Sequence, residues 1–435
     1  MRRPRAAGAT LLLALIGLPG LRDAPAESLS QAWSLALSQN RGYAATGSDL
    51  EAAVAGERAA RAARWPSLTA NAGYTRLQNG PSLDVVSPGM DFHSGPIFHD
   101  DQYVSGSVQM MLPLYAGGQI SAGIDAAHSA VASATAAAGA AAGRLKLQVA
   151  QAYVEVLRAQ RALAAARSDT ASLQANVEDA QQRVHTQSSP LSDLLAAQVA
   201  LANAEQVQVH AASELQQDQA AYNRLLGEPL DRAVELEPEI PTDPTLAGLP
   251  LETLVQRALA GRMELRGAAA EVDALASQSR AAAGRLLPQL ALTGGYTHFD
   301  NQILDRENFA MVGVGLSWSL FDAGRVRDEA RALDDQSRAQ RGRLEDLRAQ
   351  IGLEVRESWL ALRDAQARLR ASSQSVALAE ENLHDSRELY GTGLATNTQV
   401  LDAVALRTRA VSNRDDATLD ASMALLRLAY AVGGL

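Results

Sequence analysis

Between residues 103 and 114 apolar positions alternate with small or polar ones. Val104, Gly106, Val108, Met110, Leu112 and Leu114 fall on one face, and Tyr103, Ser105, Ser107 and Gln109 on the other. Residues 309–320 repeat the pattern: Ala310, Val312, Val314, Leu316, Trp318 and Leu320 oppose Gly313, Gly315, Ser317 and Ser319. A period of two predicts strands, here over about 102–115 and 309–321, with shorter versions over 66–77 and 288–299. A second period then takes over. Val355, Leu362, Leu369, Val376, Leu383 and Tyr390 recur every seven residues, each but the last followed three places on by Ser358, Ala365, Ser372, Ala379 or Ser386. Val149, Val156, Leu163, Thr170, Val177 and Val184 keep the same beat earlier, and Val404, Val411, Thr418, Leu425 and Val432 keep it later. Seven-residue spacing predicts helices that coil around neighbours, over 119–185, 191–227, 325–390 and 396–433. The first would span roughly 100 Å, longer than a compact domain accommodates.

The pattern is written twice. "WPSLTANAGYT" at 65–75 matches "LPQLALTGGYT" at 287–297, so Pro66 recurs as Pro288, 222 residues on. Beyond the strands the displacement is 206, from Gly118 to Gly324, and it carries Leu195 onto Leu401 and Gly227 onto Gly433. The first copy therefore holds a longer insert between residues 75 and 113. These matches divide the chain into a first repeat over 27–227, a proline-rich linker over 228–250 and a second repeat over 251–435. Gly117, Gly118 and Gly324 stand where each strand becomes a helix, as hinges at an abrupt change of direction.

Composition decides which solvent the strands meet. Aromatic residues are 4% of the chain, yet Trp65, Tyr74, Tyr103, Tyr115, Tyr296 and Trp318 lie at or near these strands. Segments of about ten residues, apolar on one face and flanked by aromatic belts, fit a tilted membrane strand with a wet lumen behind it; a soluble two-sided sheet shares the alternation alone. Four strands do not close a barrel, and open edges are not tolerated in hydrocarbon, so copies of the chain must pool strands. Mean hydropathy is -0.10, which excludes a bundle of membrane helices. The net charge of -10 gives no basic excess, so nucleic acid is not an expected partner. Arg2, Arg3 and Arg5, the apolar run to Leu21 and Ala24-Pro25-Ala26 read as a cleaved export signal over 1–26; an uncleaved anchor is the alternative. There is no cysteine, hence no disulfide, thiolate chemistry or lipid anchor on a lipobox cysteine.

With "LLPQLALTGGY", "RWPSLTANAGY", "SLFDAGR", "PLYAGGQ" and the helical turn "LYGTGLATNTQVLDA" at 389–403, the sequence resembles the TolC family of outer-membrane efflux proteins over nearly all of its mature length. The resemblance implies a mostly α fold with membrane β: long coiled hairpins forming a periplasmic tunnel, and four strands per chain contributing to a trimeric, twelve-stranded barrel. It implies a homotrimer in outer-membrane lipid, with loops 78–100 and 300–308 outside and the turns near 186–192 and 392–398 at the inner mouth. There a periplasmic adaptor and an inner-membrane pump of the RND, ABC or MFS type would dock, on Ser189, Pro190, Gly391, Gly393, Leu394 and Thr396. The family's acidic mouth ring corresponds to Asp193 and Asp402, with Gln399 replacing a further acid; a solvated or capping Asp near a helix start reads equally well. Tyr390 matches the aromatic half of the family's lock, while its basic partner corresponds to Ala395.

No catalytic constellation is present, and no cofactor or metal is expected: there is no G-x-S-x-G, Walker loop or H-E-x-x-H. Asp91, His93, His99, Asp100 and Asp101 have no fixed ligand spacing and read as a hydrated loop. The expected function is a passive exit duct for efflux or type I secretion. The competing reading is a periplasmic coiled-coil adaptor or scaffold, which would carry one hairpin rather than two with strand pairs before them.

Overall fold

A computed structural model describes residues 26–87, 89–98, 101–241, 243–301 and 305–435. The export signal expected over 1–26 therefore lies, but for Ala26, outside the described residues, as do His99 and Asp100.

Helix α1 (Leu29–Gln39) starts at Ser28, whose hydroxyl accepts from the Gln31 amide while the Gln31 side chain accepts from the Ser28 amide. Asn40 ends it and caps α2 (Arg41–Ala62) through the Tyr43 amide. Strand β1 (Ser67–Arg76), a hairpin of β2 (Ser82–Ser87) and β3 (Met90–Pro96), and β4 (Gln102–Tyr115) follow. Then come α3 (Gln119–His185) and α4 (Leu191–Leu226), which stops at Gly227 with a left-handed φ of 80°. Across the linker, Asp243 caps a short 3₁₀ turn at Pro244–Gly248. The second set is α5 (Leu251–Gly261), α6 (Met263–Ala283), β5 (Gln289–Phe299), β6 (Asn308–Ser317), α7 (Arg325–Gly391) and α8 (Asn397–Ala431).

The long strands form one antiparallel sheet in the order β1-β4-β5-β6. The hairpin β2–β3 stands apart, inside the stretch read from sequence as an outer loop. Strand β6 stops at Ser317 although the alternation runs to 321, because Trp318 leaves the sheet and donates its indole N–H to the Leu286 carbonyl at 3.0 Å.

The helices form two antiparallel hairpins, α3 with α4 and α7 with α8, and α3 also packs on α2, α6 and α8. Where α1 and α5 wrap the rods, two larger cores form. One centres on Leu29, Val149, Tyr153, Val156, Tyr222 and Leu226, the other on Leu254, Ala258, Ile351, Val355 and Leu428. Tyr153 donates to the Glu27 and Glu237 carbonyls at 2.9 and 2.7 Å. Burial, then the Glu237 charge, pushes its phenol up to about 12. Further along the rods the contacts become narrow layers of one large residue on two alanines: Leu163 with Ala166 and Ala211, Val177 with Ala180 and Ala197, Val376 with Ala379 and Ala410. On α8 the buried seam is thus Ala403, Ala410 and Ala417, one place before the valines picked out by the seven-residue pattern. Valine at 404 and 411 sits half-buried at the seam's edge, because small residues are what let two rods this long approach closely.

Candidate channel wall and helical tips

The pairing sorts the sheet into two chemically distinct faces. Leu68, Ala70 and Tyr74 of β1 pair with Met110, Val108 and Val104 of β4. Met110 and Val108 pair in turn with Gly294 and Tyr296 of β5, which meet Val312 and Ala310 of β6. This face is apolar and open, with Val312 81% and Leu68 72% exposed. The opposite face carries Thr69, Asn71, Gly73 and Thr75 against Gln109, Ser107, Ser105 and Tyr103, then Thr293, Gly295 and Thr297, with Met111, Phe309 and Met311 among these polar and small residues. An exposed sheet of this composition has no stable place in water but fits lipid on one side and an aqueous bore on the other. No helix among the described residues is long and apolar enough to cross a membrane.

Each strand-to-helix junction needs two left-handed residues. Gly117 and Gly118 have φ of 58° and 81°; Ala323 and Gly324 have 56° and 87°. Gly118 and Gly324 are the N-caps of α3 and α7 and offer no side chain to the free amides. At the second junction Asp322 does this instead, accepting from the Gly324 and Val326 amides at 3.0 Å each. Those bonds, the Val326 one first, hold its carboxyl below the usual range. Gly117 is needed for space as well: a Cβ there would lie 2.3 Å from the Gly284 carbonyl oxygen.

At the far end, the turn after α3 runs through Ser189 to Pro190, the N-cap of α4, with Gln187 at a φ of 61°. The turn after α7 follows Gly391, passes Gly393 (φ 78°) and the 78% exposed Leu394, and ends at Thr396. Gln399, read from sequence as the departure from an acidic ring, closes the Thr396 capping box: its Oε1 accepts from the Thr396 amide at 2.8 Å. The two turns are stitched together by Asn397, whose Nδ2 donates to the Asp193 carbonyl at 3.4 Å. Asp193 lies half-buried in the first turn of α4, and Asp402 is exposed on α8.

Tyr390 closes the last turn of α7, and the Arg183 guanidinium of α3 covers its ring at 4.4 Å from the centroid. Its hydroxyl is buried and unpaired among the described residues. One turn back, Arg387 donates to Ser172 Oγ at 3.1 Å. These groups surround a cavity of about 490 Å³ that Asn176, Asp179 and Val400 also line. Neither Arg183 nor Arg387 was reached by sequence reasoning. Its one available signal was Ala395: an aromatic residue without the expected cation nearby needs one from another helix. Above this level Thr408 donates to Asp169 at 2.6 Å, and Arg158 meets Asp420 at 2.8 Å, so polar links continue between the hairpins.

A sheet built for lipid and water, standing on two long helical hairpins, defines a membrane channel rather than an adaptor. The family model of outer membrane efflux proteins matches residues 32–228 and 254–434. The chain belongs to that family: it is a channel of the Gram-negative outer membrane with a large periplasmic helical part, and not an enzyme. Among curated relatives it is similar to outer membrane protein TolC of Vibrio cholerae serotype O1, at 24% identity over 421 residues, covering 94% of this chain and 91% of the relative. It is also similar to outer membrane efflux protein BepC of Brucella suis biovar 1, at 22% identity over 328 residues, covering 73% and 70%. Among solved structures, VceC from Vibrio cholerae superposes with a TM-score of 0.78 at 20% identity, covering 93% of this chain and 96% of that one. The two segments that the family model matches leave out residues 229–253, which include most of the linker.

Proposed function

We propose that three copies of the chain form the working exit duct, each lending its four-stranded sheet to a twelve-stranded barrel and its two hairpins to a periplasmic tunnel. The carrying observation is the open sheet itself: β1 and β6 end it with unpaired edges, and its apolar face is exposed. In hydrocarbon such edges must be paired, and like-oriented copies arranged in a ring pair them without remainder, since β1 and β6 run in opposite directions. The repeats are 27–227 and 251–435, and the chain matures by cleavage after Ala26.

The tips carry the regulated end. Ser189, Pro190, Gly391, Gly393, Leu394 and Thr396 form the surface offered to a periplasmic adaptor, behind which an inner-membrane pump supplies the energy. Asp193 and Asp402 set the mouth's preference for cations. Arg183 on Tyr390 and Arg387 on Ser172 hold the hairpins together in place of the family's basic lock, whose position is Ala395 here. Gly117, Gly118 and Gly324 are the hinges between wall and tunnel.

Fractionation and detergent-phase mass measurement test this reading. The protein is expected in the outer-membrane fraction, as a particle of three chains that unfolds on heating to single ones. A stable single chain in the soluble periplasmic fraction would overturn it.

A further inference from the structure

We propose that the bore face carries an apolar track along β5 that binds, and passes outward, cationic organic molecules built on a flat ring. The inference rests on the barrel reading above, which makes this face the inside of a water-filled duct.

The register lays the track out. β5 runs from Gln289 at the helical end to Phe299 at the outer end, and its bore-side residues Thr293, Gly295, Thr297 and Phe299 mark successive levels. Met111 of β4 pairs with Thr293, Met311 of β6 with Gly295, and Phe309 of β6 with Thr297. One large apolar group therefore stands at each level, about 7 Å along the strand from the last. Met111, Met311 and Phe309 are 55%, 56% and 42% exposed, too open for packing within the sheet to account for them. The outermost level is an aromatic cluster: the rings of Phe299 and Tyr103 lie 5.2 Å apart, and Phe98 stacks on Tyr103 at 4.5 Å. Phe98 belongs to the longer insert of the first repeat, so that insert is anchored on the bore side of the wall.

The lower levels form a groove. Gly295 has no side chain, and the Met311 thioether lies across β5 there, its Cγ and Sδ 3.5 and 4.0 Å from where a Cβ would stand. Met311 is thus turned from β6 toward β4, and with Met111 it lines a groove of about 320 Å³. Thr69, Gln109, Thr293 and Thr297 form its sides. Thioethers are polarisable and unbranched, and their sulfur makes favourable contacts with aromatic rings. The volume is at the small end of ligand clefts, about 300–1,000 Å³, and suits one ring system at a time. A soft metal ion fits less well: the two sulfurs sit on strands with β5 between them, and no imidazole, thiolate or carboxylate lines the groove.

Charge selects the sign of the ligand. The bore-side positions of the four strands hold no charged residue. Residues 77–101 and 300–308, which join the strands at the outer end, carry seven carboxylates and one arginine, Arg306. An exit of that composition attracts cations and repels anions.

Methionine is scarce enough to report on the groove. Beyond residue 26 the chain has Met90, Met110, Met111, Met263, Met311 and Met423. The protein is labelled with ¹³C at its methionine methyls, solubilised in detergent, and its NMR signals assigned by single Met→Leu substitutions. Proflavine, a flat water-soluble cation, is the probe. Met111 and Met311 are expected to shift upfield on one saturable curve, as methyls beneath a stacked ring do. Met110, on the lipid face, and the buried Met423 are expected to stay in place. Gly295→Leu takes the space of the Met311 thioether and is expected to weaken binding about tenfold. Should that variant lose its assembly, Met311→Thr, read at Met111, makes the same comparison. The anionic ring system 1-anilinonaphthalene-8-sulfonate is expected to move neither signal. Unmoved Met111 and Met311 in a trimeric particle, an equal movement of Met110, or unchanged binding in both variants would overturn the track and leave the barrel standing. Silver ion shifting both signals where proflavine shifts neither would overturn it in favour of a soft metal. Equal binding of the two dyes would overturn the preference for cations. A parent chain that is single in detergent would overturn barrel and track together.

Discussion

Tyr390 is held by its ring and not by its hydroxyl, which is buried without a partner among the described residues while Arg183 covers the π face. A partly desolvated cation–π contact contributes about 1–2 kcal/mol, enough to shift a two-state mouth roughly tenfold. Arg183→Ala is therefore expected to raise the open fraction of single channels in planar bilayers, and Tyr390→Phe to leave it unchanged; equal effects from the two would return the holding role to the hydroxyl. Tyr390 was legible in the sequence because it ends a seven-residue series. Arg183 was not, because its partner lies four helices later, on α7, and no local spacing links them. Gln399 was legible as a departure, but its role was hidden: a glutamine three places after a threonine cap serves the helix start as well as a mouth ring would.

At the scale of elements, periodicity found the long helices and the four wall strands, since both patterns persist over many turns or pleats. Toward the tip of α8 it misplaced the seam by one residue, choosing the larger Val404 and Val411 where Ala403 and Ala410 are buried, whereas Leu425 and Val432 of the same series are buried. Apolar size is a poor guide where two rods pack closely, because the seam selects for smallness. Ala410→Leu is expected to lower stability by about 1–3 kcal/mol through overpacking against Val376 and Ala379, seen as a lower midpoint in thermal circular dichroism. A silent substitution would put the seam back on the valines. The β2–β3 hairpin was missed for a different reason: Pro81, Pro88, Gly89, Gly95 and Pro96 punctuate residues 78–100 so densely that turn signals mask the strands.

For the whole molecule, the two halves share one element order, and in the proposed assembly contacts between copies would draw on the geometry of contacts inside the chain. The inward face of the wall has a further consequence. Gly73, Gly295, Gly313 and Gly315 thin the side chains on that face, leaving Met111, Phe309 and Met311 as its large apolar groups. Sections of a pipe add like resistors in series, and a wide, smooth section adds almost nothing beside a narrow one. Single-channel current through the proposed barrel is then expected to report the periplasmic extremity nearly alone, the walled length behaving as wire rather than valve.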